Sequence, residues 1–218
     1  ALRAIDVQTG QFKAGFNCSV TNATVARVAG GVLWLGGSFA TAQGVPRLHA
    51  AAVDPATGAL LSWDPRPSAP VADLAAAGGS VLVAGGFVAL PAVVRSGLAI
   101  IDMAKGEVSP AAPGVSGGQK SVTALAMVGG SVFAGGSFSS VDGQARKNLV
   151  RIEAATAAVH AQAADPNGEV AALAPWSAKL VVAGAFTAIT GQSAAGLAIV
   201  DPAGGPTVGS ALALTKGS

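Results

Sequence analysis

The stretch VGGSVFAGGSF at residues 128–138 repeats the pattern of VAGGVLWLGGSF at residues 28–39: a Gly-Gly pair, four mostly apolar residues, then Gly-Gly-Ser-Phe. Internal repetition of this kind decides an architecture before any local propensity does. Taking the phenylalanine that ends each phrase as a mark, further marks stand at Phe87 and Phe186. An acid lies 15 residues after every mark, at Asp54, Asp102, Glu153 and Asp201. From one acid to the next phenylalanine the gap is 33, 36 and 33 residues, and Asp6 lies 33 before Phe39. The period is therefore 48 to 51 residues, with the three extra residues in the loop AAPGVSGGQKS.

Other positions keep the same frame. Gly37, Gly85, Gly136 and Gly184 lie two before each phenylalanine. The pairs Gly30-Gly31, Gly78-Gly79 and Gly129-Gly130 precede it by nine and eight, with Ser177-Ala178 in the fourth copy. Arg47, Arg95 and Arg146 precede the acid by seven, and Ala194 ends that series. Each copy holds four short apolar runs, in the third copy SVTALAMV, SVFAGG, NLVRIE and AVHAQ. A Gly-Gly pair joins the first two runs and supplies the positive φ that a two-residue hairpin needs. An acid-x-x-Thr-Gly turn joins the last two: DVQTG (6–10), DPATG (54–58), then EAATA (153–157). There the carboxylate bonds its own turn and glycine takes the left-handed position.

Four antiparallel strands in about 49 residues is the size of one propeller blade. The expected fold is all-β, a β-propeller of four full four-stranded blades plus an N-terminal half blade. The blades are 17–66, 67–114, 115–165 and 166–218, the half blade is 1–16, and the 218 residues form one segment of a larger propeller. Starting in mid-blade leaves an unpaired edge, which an upstream part of a longer chain would cover. One stretch argues for a helix: QARKNLVRIEAATAAVHAQAAD (144–165) has no Gly or Pro and is rich in helix formers. The register predicts strand-turn-strand, because sibling copies carry Pro55, Gly58, Gly97 and Gly106 at matching places.

The phrases GGSFATAQGVPRLHAAAVDPATGALLSWDP and GGSFSSVDGQARKNLVRIEAATAAV resemble the bacterial delta-sixty β-propeller repeat, related to repeats in ectodomains of fungal cortical marker proteins. Its pattern is Gly-Gly-x-Phe, a Gly-Gln-x-Arg-like turn, an apolar strand, then Asp and Thr-Gly. The second copy departs from it at Gly85-Gly86-Phe87 and LPAVV, and the fourth lacks the Arg and the second Gly. The resemblance implies an extracellular or cell-surface protein with no chemistry attached to the repeat, and a fold does not by itself carry a function.

Composition narrows the function classes. Charged residues make up 11% of the chain, against roughly a quarter in ordinary soluble domains. Thirteen basic and 11 acidic residues are scattered singly, without a basic stripe, so nucleic acid is not an expected partner. The strongest apolar stretch, SVLVAGGFVALPAVV, is interrupted by Gly85, Gly86 and Pro91, too short for a membrane-spanning helix of about 20 residues. The lone Cys18 reads as a buried thiol, the alternative being a bond to another chain. Asn17-Cys18-Ser19 and Asn22-Ala23-Thr24 are candidate glycosylation sites.

The phenylalanines read as packing between blades, and the acids as turn formers, since one carboxylate per hairpin does not converge on a metal. The repeated arginines read as structural bonds to neighbouring turns. Loops 40–47, 88–95, 139–146 and 187–194 are expected to share a face with the inter-blade segments 63–70, 111–121 and 162–169. The candidate binding residues there are Arg47, Trp63, Asp64, Arg66, Arg95, Lys120, Asp142, Arg146 and Asn167. No Ser-His-Asp spacing, HExxH, CxxC or phosphate-cradling loop occurs, so neither catalysis nor a cofactor is expected.

The expected function is a non-catalytic protein-interaction or structural assembly module, with protein partners, neighbouring domains of a larger chain, or glycans around it. The alternative is a carbohydrate-binding, lectin-like propeller, against which Trp34, Trp63 and Trp176 stand at non-equivalent positions. AVDPATGALLSW is also similar to a repeat of quinone-cofactor propeller enzymes, but only Trp63 fits; its siblings are Gly15, Ala111 and Gln162.

Overall fold

A computed structural model describes residues 2–91, 93–119, 121–161 and 164–202. The chain is all-β: the described residues contain antiparallel sheets and no helix. It divides into two compact units, 1–112 and 113–218.

Every full repeat builds the same three-stranded sheet. In the first unit the strands are Ala23–Ala29, Val32–Gly37 and Ala50–Val53, then Val71–Ala77, Ser80–Gly85 and Leu98–Asp102. In the second they are Ser121–Val128, Ser131–Ser137 and Leu149–Glu153, then Val170–Trp176, Lys179–Gly184 and Leu197–Val200. The second strand of each repeat is central in its sheet. The fourth apolar run joins through one bridge rather than a ladder: Val53 with Leu60, Ile101 with Val108, Ile152 with Val159. Ile5 and Phe12 bridge in the same way. Over its described residues 144–161 the helix-prone stretch is strand, turn and bridge, because Leu149–Glu153 has a complete ladder to Ser131–Gly135; residues 162 and 163 lie outside the described residues.

The first hairpin turns at two residues in all four repeats, closing Ala29 on Val32, Ala77 on Ser80, Val128 on Ser131 and Trp176 on Lys179. Both glycines of each Gly-Gly pair have positive φ, the condition of this turn. A bulge recurs near the start of every first strand, between Ala23 and Val25, Val71 and Asp73, Val122 and Ala124, and Val170 and Ala172. Opposite it lies the glycine two before the phenylalanine. A Cβ on Gly37, Gly85, Gly136 or Gly184 would run into the backbone carbonyl oxygen of Asn22, Pro70, Ser121 or Glu169 respectively. The bulge brings two backbones together, and only glycine leaves room.

The segments expected as loops between second and third strands are small hairpins: Thr41–Ala42 with Val45–Pro46, Ala89–Leu90 with Val93–Val94, Ser140–Val141 with Gln144–Ala145, and Ala188–Ile189 with Gln192–Ser193. Each is hydrogen-bonded to the segment preceding its own sheet, as in Val20 with Ala42, Ser68 with Ala89, Val115 with Val141 and Pro166 with Ile189.

Phe39, Phe87, Phe138 and Phe186 are all buried, and the backbone carbonyl of each accepts a hydrogen bond from the residue ten further on: His49, Gly97, Asn148 and Gly196. Those four residues all have positive φ. In the first unit, Phe39 packs with Cys18, Leu35, Ala51 and Val53, while Phe87 packs with Trp34, Trp63, Leu74 and Ile101. In the second, Phe186 packs with Phe133, Leu149, Val170 and Val182. Within each unit the first strand of the second repeat lies against the sheet of the first. Val71 fills the space that a Cβ on Gly36 would need, and Val170 does the same at Gly135. Cys18 is buried and free, and burial pushes its thiol pKa up.

Candidate functional site

The acid turns form as the spacing predicts. Asp6 accepts from the backbone N–H groups of Gln8 and Thr9, Asp54 from Ala56 and Thr57, and Asp102 from Ala104 and Lys105, at 2.7–3.0 Å. These bonds hold all three carboxyls below their ordinary pKa, led by Thr9, Thr57 and Lys105. Gly10, Gly58 and Gly106 follow with positive φ, and Ala157 takes the same conformation in the decayed copy.

The arginine series is tied to backbone carbonyls. Arg47 donates to Pro46 and Leu61, Arg95 to Val94 and Pro110, and Arg146 to Ala145 and His160. Each guanidinium thus clamps the segment that follows its acid turn. Asp142 accepts from the Gly114 N–H at 2.9 Å. Asn167 accepts from the N–H groups of Thr187 and Ala188 and donates to Thr187 Oγ1. These side chains shape their loops. Lys120 lies outside the described residues. Asn17 and Asn22 are both exposed, with Asn22 at positive φ.

One group of the expected residues does come together, in the first unit. Arg66 Nε donates to Asp64 Oδ2 at 2.6 Å, and Arg47 Nη1 stands 3.6 Å from the same oxygen. Beside them the Trp63 ring meets Trp34 edge-on, 5.0 Å between centroids. Trp63 is 5% exposed and packs over Gly106, whose missing Cβ leaves the indole room. Trp34 Nε1 donates to the Ala29 carbonyl, whereas Trp63 Nε1 is buried with no hydrogen-bond partner. Asp64 Oδ1 is likewise buried and unpartnered. A cleft of about 380 Å³ opens here, lined by Asp64, Pro65, Pro91, Val93, Gly106, Glu107 and Val108.

The unmet atoms were not legible from spacing, because they depend on which repeat's turn covers the indole. A second cleft, of about 430 Å³ in the other unit, is lined by Arg151, Lys179 and Asp201 with Val128, Gly129, Ala178 and Pro202. Its Arg151 donates to Ser131 Oγ and to the Pro202 carbonyl. No group of three or more His, Cys, Asp or Glu side chains that could hold a metal occurs among the described residues. No described helix is long and apolar enough to cross a membrane.

No family model and no curated protein matches this chain. Solved structures do. The chain is similar to the computationally designed Ika4 protein at 16% identity, over 79% of this chain and 89% of that one, with a TM-score of 0.51. It is also similar to the computationally designed Ika8 protein at 18% identity and a TM-score of 0.50, over 81% of this chain and 48% of that one. At such identities the likeness is one of fold alone.

Proposed function

We propose that the chain is part of an extracellular or cell-surface β-propeller that acts as a non-catalytic interaction or assembly module, its partners being proteins or neighbouring domains. The equal repeats, the conserved geometry around the four phenylalanines and the recurrent sheets support the propeller reading. The functional part rests on one observation: large apolar side chains stand in solvent on a surface with few charges. Val7 is 97% exposed, Val94 78%, Val28 69% and Phe12 65%, in a chain with 24 charged residues among 218. So many exposed apolar side chains on so sparsely charged a surface leave little polar cover, which supports a surface that another macromolecule covers. Meanwhile the recurring acids and arginines are engaged in turns and carbonyl clamps, which supports a structural role for them over a catalytic one.

Light scattering and the fluorescence of an apolar dye test this directly. The purified chain is expected to self-associate with rising concentration and to bind the dye. Lysine at Val28, Val94 and Phe12 together is expected to reduce both. A wild-type chain that stays monomeric at high concentration and leaves the dye dark overturns the reading.

A further inference from the structure

We infer that the first unit carries a docking site for a β-hairpin of this repeat's own pattern, two apolar strands joined by Gly-Gly, supplied by a binding partner. The inference rests on the interaction role proposed above and names the chemistry of the partner. Its first support is a backbone edge. Ile5 and Phe12 form the same bridge that Val53 and Leu60 form one repeat later. It is closed by Asp6 N–H on the Gln11 carbonyl and Lys13 N–H on the Ala4 carbonyl, as Asp54 and Leu61 bond to Ala59 and Ala52. Backbone groups alternate in direction along a strand, so Val53 and Ala51 turn the other way and meet Leu33 and Leu35 of the central strand. Ile5 and Arg3 hold the matching positions; both are exposed, and their backbone groups have no backbone partner among the described residues. Such an edge accepts an added strand through main-chain hydrogen bonds.

The second support is a sheet face. In the first full repeat, Ala26 pairs across the hairpin with Leu35 and Val28 with Leu33, on one face. The matching pairs are Leu74 with Val83 and Ala76 with Val81, and in the last repeat Leu173 with Val182 and Pro175 with Leu180. There this face packs on the first hairpin of the preceding repeat: Leu74, Val81 and Val83 cluster with Val25 and Trp34. Leu173, Leu180 and Val182 do the same with Ala126, Val128 and Phe133. In the first repeat, Leu33 and Leu35 pack with Leu2, Ala4 and Cys18, while Ala26 and Val28 stand in solvent. Elsewhere, then, a Gly-Gly hairpin covers this face, and the second strand of such a hairpin fills the edge position of Ile5. One object meets both demands. Its surface toward Ala26 and Val28 must be apolar, since Arg27 between them lies on the opposite face, paired with Asp73.

The test titrates the nitrogen-15-labelled chain, at a dilution where it is monomeric, with a peptide of sequence SVTALAMVGGSVFAGGS (121–137) flanked by lysines for solubility. Saturable shifts of the Arg3, Ile5, Ala26 and Val28 amide signals are expected, with hydrogen exchange of Ile5 slowed about tenfold or more. A peptide carrying Val132→Pro and Ala134→Pro lacks the N–H groups that address the third strand, where the partners are Ile152 and Val150, and is expected to leave the signals in place. In the chain, Ile5→Pro removes a donor that no described bond uses and is expected to weaken binding about tenfold, the loss of one hydrogen bond. Ala26→Glu, at an exposed position, is expected to weaken it independently of the edge. A chain that ignores the peptide, or that binds it as tightly after both substitutions, overturns the inference. So does an Ile5 amide already protected in the free monomer, since the edge is then occupied within the chain. Shifts of Ile5 and Val28 on raising the chain's own concentration, with none from the peptide, give the site to a second copy and overturn it as well. In each case light scattering and dye binding of the free chain still decide the interaction role on their own.

Discussion

Gly136 and its counterparts Gly37, Gly85 and Gly184 sit where the fold leaves no room for a side chain. None owes its place to positive φ; each lies where a carbonyl oxygen of the adjoining strand occupies the position of a Cβ. Backbone cannot rotate away as a flexible side chain would. Gly136→Ala is therefore expected to cost about 3 kcal/mol, at the upper end of ordinary substitutions, read as a shift of the urea midpoint. A loss under about 1 kcal/mol would mean that the bulge yields. Ala157 presents the reverse case. It has φ 62 at the turn position held by Gly10, Gly58 and Gly106 in the other copies. A left-handed conformation costs an L-residue roughly 1–2 kcal/mol. Ala157→Gly relieves that strain but loosens the unfolded chain by roughly 0.4–1 kcal/mol. The expected net is a gain of about 0.5 kcal/mol, visible as a higher melting temperature.

At the level of elements, the acid turn and the arginine clamp act on the same edge. Asp54 orders the turn between the third and fourth runs, and Arg47 holds the segment beyond it through the Leu61 carbonyl. With a single bridge in each of the first three full repeats, that fourth run depends on these side chains more than on its ladder; the fourth run of the last repeat lies outside the described residues. The carboxyls of Asp6, Asp54 and Asp102 have folded pKa values below the ordinary value of about 4. Above that value both folded and unfolded chains are ionised and the turns contribute in full. As pH falls below it the unfolded chain binds protons first, so stability drops until the folded carboxyls are protonated too. Acid unfolding followed by circular dichroism should thus be shallower in Asp54→Asn, whose amide oxygen still accepts in the turn but does not titrate. An unchanged acid limb would remove the turn carboxyl from the account.

On the scale of the whole molecule, low charge and repetition act together. With 11% charged residues and a net charge of +2, little electrostatic repulsion keeps copies apart. The exposed valines and phenylalanine are the observation on which the proposed assembly role rests. Each compact unit contains two full repeats, and in each a valine from the second repeat's first strand occupies the room left by a glycine in the first. Gly36 and Gly135 share this feature, while the second repeats carry Ala84 and Ala183 there. The Gly-Gly-Ser-Phe that 36–39 and 135–138 share thus follows the packing: both belong to the first repeat of a unit.

What the residues determined alone was whatever depends on local backbone chemistry at a fixed period. Gly-Gly pairs permit one kind of hairpin, Asp-x-x-Thr-Gly permits one kind of turn, and their register ruled out a helix at 144–165. At His49 and Asn148 the signal was weaker, since both residue types favour the left-handed region more than most yet adopt it far less readily than the glycines of the sibling copies, Gly97 and Gly196. The small hairpins at 41–46 and 140–145 were hidden for a related reason, their partners being segments some twenty residues away in the chain. The cleft was decided by tertiary structure entirely. Trp63 loses its solvent because the Gly106 turn of another repeat closes over it, and a hydrogen-bonding group becomes unmet only when packing, not sequence, takes its water away.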